Sequence, residues 1–505
     1  MRAYNYQFVE TAGAIFIIAA VSIFILANFT VGFNLPVYIF ATFFGFAISL
    51  FFPRSGVYAI IFLTFVFERF FTLTPIYFDR MEHKLYPIDI ILAGVILGMA
   101  VKLIVSGNFF QRSSVSSGHL PSSDIRRIRG FLRSPDLLLA VFILASAVYF
   151  LVSVTFGRGD FAVAFSTFKN YFFYSLFYFI ILFLFKDKKD LVQFLKFFLA
   201  GGIAVVFFII LGIIRGEGLW TEFTPLSTPG ARILAFTHGF FLSMALLIAL
   251  VWLLFKKGRY NNFLYFLAPV WAIGIVGTLM RHLWISLFLS LVFLFLVLPL
   301  SKKKKLARII SHYIFLFAVV ILATSFLVLT FPDLKFLQSA RDVASAANQR
   351  FVSTVQVNSD ESLNWRKSVW ESAWREFKEK PLTGLGYGEK IPVEIGKKYR
   401  SFVEVRNIHN SPLALFIQMG VLGMALFVSF AWLIIKPALR DLRIPADNDD
   451  YQFLRCVFLA LLANYLIAFL FQTYLETNLL GIFFWIILGG LRVVSKFAIL
   501  QSKKA

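Results

Sequence analysis

The stretch VETAGAIFIIAAVSIFILAN, residues 9–28, decides the class of this protein. Roughly 20 helical residues cross the hydrocarbon core of a bilayer, so an apolar run of this length predicts a membrane span. The run is too long for the apolar part of a signal peptide, and no small-residue cleavage site follows it. Further apolar runs come directly after it. We therefore expect this stretch to be the first span of the protein and to be retained.

The composition of the chain supports the same class. Of its 505 residues, 59% are hydrophobic, only 15% are charged and 65 are Phe. A water-soluble protein of this length cannot bury so much apolar surface. The strands of a β-barrel show short alternating patterns, whereas this sequence has continuous apolar stretches. The sequence thus predicts an all-α polytopic membrane protein.

The apolar runs predict about 14 spans, with 12–14 as the range for the fold. They lie at residues 9–30, 35–52, 57–75, 87–106, 135–156, 170–185, 194–214, 232–255, 263–279, 282–300, 309–331, 411–435, 452–472 and 478–497. We divide the chain accordingly into N-terminal transmembrane helices (1–231), transmembrane core helices (232–331), one large polar loop (332–410) and C-terminal transmembrane helices (411–505).

Lys and Arg fill every second connection between the predicted spans. The clusters are Arg112, Arg126, Arg127, Arg129 and Arg133; Lys186, Lys188 and Lys189; Lys256, Lys257 and Arg259; Lys302 to Lys305 and Arg308; Lys436, Arg440 and Arg443; and Lys503 and Lys504. The positive-inside rule makes that side cytoplasmic, together with both termini. This topology accounts for the net charge of +22. Nucleic-acid binding is not expected, because the basic residues are scattered in short clusters.

The opposite side holds the large loop, which we call the polar segment (residues 332–410). Its charge is nearly balanced, with 13 Lys or Arg against 10 Asp or Glu. Within it, Ser362–Lys380 predicts an amphipathic helix that lies on the membrane or packs over the spans. Its apolar face comprises Trp365, Val369, Trp370, Ala373, Trp374 and Phe377. Pro381 ends this helix, and a glycine-rich turn follows at residues 383–388.

Four basic residues lie at the outer ends of spans or in the polar segment: Arg232, Arg281, Arg366 and His409. One alternative is that they reach towards lipid headgroups. A guanidinium binds phosphate bidentately and keeps its charge, so a cluster of arginines suits a diphosphate. The obvious diphosphate substrate on this face is a polyprenyl-diphosphate-linked sugar. His409 can then take a proton from an acceptor hydroxyl.

Other polar residues give weaker signals. Glu68 and Arg69 fall within a span and suggest a structural ion pair, while Asp89 and Glu476 are candidates for holding the arginines in place. We interpret His238 and His282 as helix-packing residues. The sequence has no Walker loop for ATP, and metal ligands for sugar transfer are not evident, so we expect neither metal nor cofactor.

The residues from His409 onward resemble a known family. His409-Asn410, followed by nine residues and Gly420, is similar to the signature of the O-antigen ligase/polymerase superfamily of bacterial membrane glycosyltransferases. The family's arginine, tryptophan and Pro-x-x-Gly-x-Gly-x-Gly pattern is matched by Arg366, Trp370, Pro381, Gly384, Gly386 and Gly388. Arg232 and Arg281 fall where further arginines of the family are expected. The turn before Arg281 departs from the family, which commonly has glycine and serine there.

This resemblance implies a GT-C-like helical fold with a large periplasmic loop, in a bacterial inner membrane. It implies metal-independent, inverting transfer of a glycan from an undecaprenyl-diphosphate carrier, with lipid A-core as the acceptor in ligases. His409 would activate the acceptor, and Arg232, Arg281 and Arg366 would bind the diphosphate. Asn410 would orient His409 or cap the next helix.

Two other functions stay open on sequence alone. A polymerase of the same superfamily joins one lipid-linked repeat unit to another, with a lipid-linked glycan as the acceptor. A transporter or lipid flippase should show charged residues near the middle of many spans or related halves. Here the charged residues collect at one face, which favours the glycosyltransferase. A purely structural scaffold would not explain the His409 motif.

Overall fold

The part of the chain that the structure describes is helical apart from two short hairpins and the connecting turns. The computed structural model describes residues 2–67, 76–78, 81–83, 86–105, 134–157, 159–215, 232–331, 335–355, 361–395, 401–441, 449–477 and 479–502. The helices are α1 Arg2–Val31, α2 Leu35–Phe51, α3 Pro53–Phe67, α4 Pro87–Val105, α5 Pro135–Phe156, α6 Phe161–Phe168, α7 Leu176–Leu184, α8 Lys188–Arg215, α9 Phe236–Phe255, α10 Tyr260–Gly277, α11 Arg281–Val297, α12 Leu300–Thr330, α13 Lys335–Val355, α14 Glu361–Phe377, α15 Ser411–Asp441, α16 Asp449–Ala468 and α17 Leu480–Ser502. The hairpins pair β1 Ile76–Phe78 with β2 Met81–His83 and β3 Ile391–Ile395 with β4 Ser401–Val405.

Ten helical segments in the described part of the chain are long and apolar enough to cross a membrane. They are Gln7–Asn28, Pro87–Val105, Pro135–Phe156, Phe161–Leu184, Lys188–Ile214, Phe236–Phe255, Leu300–Leu327, Ser411–Arg440, Asp449–Ala468 and Leu480–Phe497. Three shorter apolar helices are α2, α3 and α11. The protein is therefore an all-α polytopic membrane protein, as the sequence predicts. Each predicted span overlaps a helix.

Two predicted spans begin about nine residues too late. The span predicted at 170–185 begins at Phe161, because the Asp160 side chain accepts hydrogen bonds from the first backbone N–H groups of α6 and starts the helix early. A turn of π-helix, Lys169–Phe173, then leads towards α7. The break predicted between 300 and 309 is also wrong. Lysine is a good helix former, so α12 begins at Leu300 and contains the basic cluster.

The chain forms two compact units. The first contains Met1–Ser117, Phe183–Met280 and Pro299–Ala347. Helix α9 is buried along almost its whole length within this unit. Lys305 Nζ donates to the backbone oxygens of Leu253 and Leu254 at 2.6 and 3.3 Å, and so satisfies carbonyls at the end of α9.

A buried ion cluster joins three helices of the first unit. The Arg54 guanidinium lies 3.1 Å from the Glu10 carboxylate and 3.3 Å from the Asp190 carboxylate. Its Nε also donates to the backbone oxygen of Leu184 at 2.7 Å. A buried charge is tolerated only when it is paired and hydrogen-bonded, and this arginine meets both conditions. The cluster therefore fixes α1, α3 and α8 to one another.

The second unit contains Gly118–Leu182, Arg281–Leu298 and Asn348–Ala505. Helix α15 packs on α5 and α17, and α16 packs on α11 and α17. A buried polar pair marks the contact of α11 with α16, where Ser286 Oγ donates to Asn464 Oδ1 at 3.1 Å. This pair fixes the position of α11, which begins at the predicted site residue Arg281.

The polar segment contains more structure than the sequence predicts. The amphipathic helix is confirmed as α14, but α13 was not predicted. On α14, Val369, Ala373 and Phe377 are buried, whereas Trp365 and Trp374 remain 36% and 46% exposed. The buried face packs on the β3–β4 hairpin and the first turns of α15. The shared core consists of Val369, Ala373, Phe377, Ile391, Val393, Ile408, Ala414 and Ile417.

Helix α15 is broken at Gly420, where φ is +66° and ψ is −166°. The glycine-rich turn and the two residues before it form hydrogen bonds with the backbone groups on both sides of this break. Leu385 N donates to Ile417 O at 2.8 Å, and Gly386 N donates to Gln418 O at 3.1 Å. In the other direction, Val421 N and Leu422 N donate to the carbonyl oxygens of Pro381 and Leu382 at 3.0 and 3.3 Å. We call this arrangement the α15 interlock.

The interlock explains why the two motifs recognised in the sequence occur together. Gly384, Gly386 and Gly388 all have positive φ, between +74° and +92°, which favours glycine. A Cβ on Gly384 would lie 2.5 Å from Ile417 O, and one on Gly420 would collide with Leu382 O. The Pro-x-x-Gly-x-Gly-x-Gly pattern and the glycine after His409 are therefore two sides of one contact.

Gly420→Ala should destabilise the protein more than a positive φ alone explains. A left-handed backbone costs a non-glycine residue roughly 1–2 kcal/mol, and here the new methyl group also pushes the interlock apart. We expect a lower apparent Tm for the purified protein in detergent. Gly32→Ala is the matched control, because Gly32 also has positive φ (+94°) but no atom lies near its Cβ position. Equal losses of Tm in the two variants would contradict the interlock.

Candidate functional site

His409 lies between β4 and α15, in a backbone held from both sides. Its φ is +53°, a left-handed conformation that is uncommon for a residue other than glycine. The backbone N–H donates to Asn407 Oδ1 at 3.0 Å. The side chain of the next residue, Asn410, accepts from Leu413 N at 2.9 Å and caps α15. Asn410 was predicted either to orient His409 or to cap the next helix, and in the structure its side chain caps α15.

The turn between α16 and α17, residues 469–477, holds the His409 segment in place. Ser411 N donates to Phe469 O at 2.9 Å, and Ser411 Oγ donates to Gln472 O at 3.0 Å. Thr473 Oγ1 donates to Asn407 Oδ1 at 2.9 Å. These contacts join the start of α15 to the last two helices of the chain.

Gln472 orients the imidazole. Its Oε1 lies 2.8 Å from Nδ1 of His409. An amide oxygen can only accept, so with this orientation Nδ1 carries the proton. Nε2 then keeps its lone pair and is the atom that can accept a proton. Sequence reasoning missed Gln472; its only signal is a polar residue in a short turn between two apolar runs.

The surroundings of His409 favour its neutral form. Burial lowers the pKa of its side chain from the usual 6.5, and the positive charge of Arg366 lowers it further. The hydrogen bond with Gln472 acts in the opposite direction, but the net pKa is lowered. A neutral imidazole at neutral pH is the form needed for a general base.

Arg366 lies on α14, and its charge acts on His409. Trp370, one turn further along the same helix, donates from its Nε1 to Ile408 O at 2.7 Å. This hydrogen bond ties α14 to the residue before His409, which explains the electrostatic effect of Arg366. The shared role of Arg366 and His409 in one site stays a prediction.

The residue after Arg281 contacts the turn between α16 and α17. It is the first residue of α11, and Nε2 of the next residue, His282, lies 3.0 Å from the Tyr474 hydroxyl. Tyr474 is two residues beyond Gln472. The interpretation of His282 as a packing residue agrees with this buried contact.

Arg232 belongs to the first unit. It lies in the extended residues before α9, where the following residue, Ile233, donates from its N–H to Gly277 O at 3.0 Å. The span predicted to open at residue 232 therefore begins at Phe236. The charge of Arg366 acts on His409, and His282, the neighbour of Arg281, contacts the turn 469–477. The roles of all three arginines stay predictions.

The remaining sequence candidates have structural positions of their own. His238 is buried in α9, with Nε2 2.9 Å from Val66 O, as expected of a packing residue. Glu476 accepts hydrogen bonds from Tyr171 and Gln418. Asp89 lies in the first turn of α4. The predicted ion pair of Glu68 and Arg69 lies outside the described residues.

The comparison with protein families now agrees with the geometry. Residues 264–428 match the family model described as O-antigen ligase. This part of the chain is similar to an O-antigen ligase domain. No curated protein matches it.

The match covers Arg281, Arg366, the interlock and the His409-Asn410 pair, while Arg232, Gln472 and Glu476 lie beyond its ends. It confirms the resemblance to the ligase/polymerase superfamily and supports a glycosyl-transfer enzyme that uses lipid-linked glycans. Together with the many apolar helices, the match indicates a multi-pass bacterial membrane protein.

The pH at which His409 becomes neutral is directly measurable. Diethyl pyrocarbonate reacts with a histidine side chain only in its neutral form, and mass spectrometry measures the extent of modification. We expect half-maximal modification of His409 below pH 6.5. Arg366→Gln removes a positive charge that disfavours the imidazolium and should move this midpoint to higher pH. Lys367→Gln is the control, because Lys367 is highly exposed and pairs with Glu371 at 3.9 Å. If Arg366→Gln leaves this midpoint unchanged, the charge of Arg366 does not act on His409.

Proposed function

We propose that this protein transfers a glycan from an undecaprenyl-diphosphate carrier to lipid A-core, at the outer face of a bacterial inner membrane. The orientation of His409 carries the proposal. Gln472 Oε1 accepts a hydrogen bond from Nδ1–H, so Nε2 is left as a proton acceptor in a partly buried position where the charge of Arg366 acts on it. A base next to a fixed positive charge suits a reaction in which a hydroxyl loses a proton and a diphosphate leaves.

The proposed reaction is a single displacement. The acceptor hydroxyl oxygen attacks the anomeric carbon of the donor sugar while its proton passes to His409 Nε2. The bond from the anomeric carbon to the phosphate oxygen breaks, and its electron pair leaves with undecaprenyl diphosphate. Attack opposite the leaving group inverts the anomeric centre, as the family resemblance implies.

The arginines supply the electrostatic part of the proposal. Guanidinium groups bind phosphate oxygens bidentately and stay charged when buried. We assign Arg366 and Arg281 to the leaving diphosphate, because α14 and α11 attach them to the segment and turn that hold His409. Arg232 is proposed as a third ligand on its sequence position. The charge that develops on the diphosphate is then stabilised without a metal ion.

His409→Ala should reduce the rate of transfer by about 10²–10⁴-fold, the usual contribution of a general base. The donor KM should change little, because the base acts on the acceptor hydroxyl. The measurement is transfer by the purified protein with an undecaprenyl-diphosphate-linked glycan. His312→Ala, which alters an exposed histidine of α12, is the control and should keep full activity. Full transfer by His409→Ala at normal abundance would refute the proposed mechanism.

The acceptor distinguishes a ligase from a polymerase. Lipid A-core and a second lipid-linked repeat unit should be offered in parallel, in the presence of a chelator. We expect transfer to lipid A-core that is insensitive to the chelator. Extension of the lipid-linked repeat instead would make the protein a polymerase with the same site. Loss of activity with the chelator would contradict diphosphate stabilisation by arginines alone.

A further inference from the structure

The turn that orients His409 contacts a turn of π-helix in the same unit. This π-turn, Lys169–Phe173, lies within the span Phe161–Leu184. Two of its residues, Asn170 and Tyr171, are completely buried. A π-turn inserts one extra residue into a helix and is frequent at functional sites. The mechanism proposed above gives it no role.

Side chains of the π-turn and of the residue after it bind the end of the turn between α16 and α17. Asn170 Nδ2 donates to Glu476 O at 2.6 Å, and Tyr171 Oη donates to Glu476 Oε1 at 3.3 Å. Tyr174 Oη accepts from Leu479 N at 3.3 Å. The end of this turn is thus fixed to the span formed by α6 and α7.

The Glu476 carboxylate accepts hydrogen bonds from two sides. Tyr171 donates from the π-turn, and the Gln418 side chain donates from α15, two residues before the break at Gly420. Both oxygens of a carboxylate accept, so one carboxylate can serve two donors, whereas an amide of the same size has one accepting oxygen. The ionised side chain of Glu476 therefore joins the π-turn to α15.

Hydrogen bonds within the turn connect Glu476 with the residue that orients the imidazole. Leu475, directly before Glu476, donates from its N–H to Ser411 Oγ at 3.2 Å. The same hydroxyl donates to Gln472 O at 3.0 Å, and Gln472 Oε1 lies 2.8 Å from Nδ1 of His409. A displacement of Glu476 would therefore move the amide that fixes the imidazole.

We propose that Glu476 is a positioning residue for His409. It holds the turn between α16 and α17 against the π-turn and α15, so that Gln472 stays in reach of Nδ1 and Nε2 is kept as the base. This inference rests on the proposed function, since it concerns the same site. The base is His409, and Glu476 acts on it only through Gln472.

The test measures the pH midpoint for modification of His409 by diethyl pyrocarbonate in the full-length protein. The hydrogen bond with Gln472 raises the pKa of His409, so weakening this bond should lower the midpoint. Glu476→Gln keeps the side-chain size but leaves one of the two donors without an acceptor, and Tyr171→Phe removes one donor. Both variants should lower the midpoint. Transfer should also fall, by up to about 10²-fold, the cost of a small displacement of a reacting group.

A Gln472→Leu protein separates positioning from a direct charge effect. This variant already lacks the accepting oxygen, so adding Glu476→Gln should shift the midpoint no further. A shift that persists in the double variant would mean that the charge of Glu476 acts directly on His409, and would overturn the proposal. Unchanged midpoints in Glu476→Gln and Tyr171→Phe would overturn it as well.

Tyr178→Phe is the matched control. Tyr178 is a buried tyrosine of the same span, and its hydroxyl donates to a different carboxylate, Asp136 Oδ1, at 2.6 Å in the first turn of α5. The control should leave the midpoint for His409 unchanged, whatever its effect on Tm. Equal shifts in Tyr178→Phe and Tyr171→Phe would reduce the effect to a general loss of stability, against the proposal.

Modification of His409 does not depend on glycan transfer, so the two proposals fail separately. A midpoint that depends on Glu476 only through Gln472, in a protein that transfers no glycan, would support the positioning of His409 and reject the proposed function. Transfer that requires His409 but is unaffected by Glu476→Gln would overturn this inference and leave the proposed function in place.

Discussion

The break of α15 at Gly420 is the constraint on which the second unit depends. A helix interrupted within an apolar span exposes backbone N–H and C=O groups where water is scarce, and each unpaired group costs free energy. Here the groups on both sides of the break are paired with the glycine-rich turn. Tyr149 Oη supplies a further partner by donating to Met419 O at 3.0 Å. The turn cannot leave α15 without abandoning all of these hydrogen bonds together.

The same contact positions His409, the candidate base. The residues from Ser411 to Met419 form a short helix of their own, which begins at the Asn410 cap and ends at the interlock. His409 stands directly before the cap. Helix α14 packs on this short helix through Val369 and Phe377 and brings Arg366 with it. A histidine between two apolar elements is thereby placed by hydrogen bonds at both ends, which is what a base with a defined direction requires.

The sequence was informative where one physical effect dominates. Continuous apolar runs determined the class and nearly every span, because lipid leaves helices few alternatives. The spacing of His409, Asn410 and Gly420 and the glycines near residue 386 identified the family. Where two effects compete, the prediction failed. Asp160 starts a helix that hydropathy alone places nine residues later, and the lysines before Leu306 continue a helix although their charge suggested a connection.

Long-range hydrogen bonds account for what the sequence did not reveal about the site. Gln472 is 63 residues from His409, and nothing in its local sequence connects the two. The same holds for Thr473 with Asn407, which are 66 residues apart. Arg366 was recognisable because α14 is amphipathic and the family pattern includes an arginine. Partners of this kind become visible only when the turn between α16 and α17 has been placed in space.

The distance along the chain between His409 and Gln472 also sets an order of events during synthesis. The histidine motif and the helix it precedes leave the ribosome first, and the residue that orients the imidazole follows only in the turn between α16 and α17. A nascent chain that has inserted α15 but not α16 already contains the base without its direction. The imidazole is therefore oriented only after α16 and the turn that follows it have been made and have met the His409 segment.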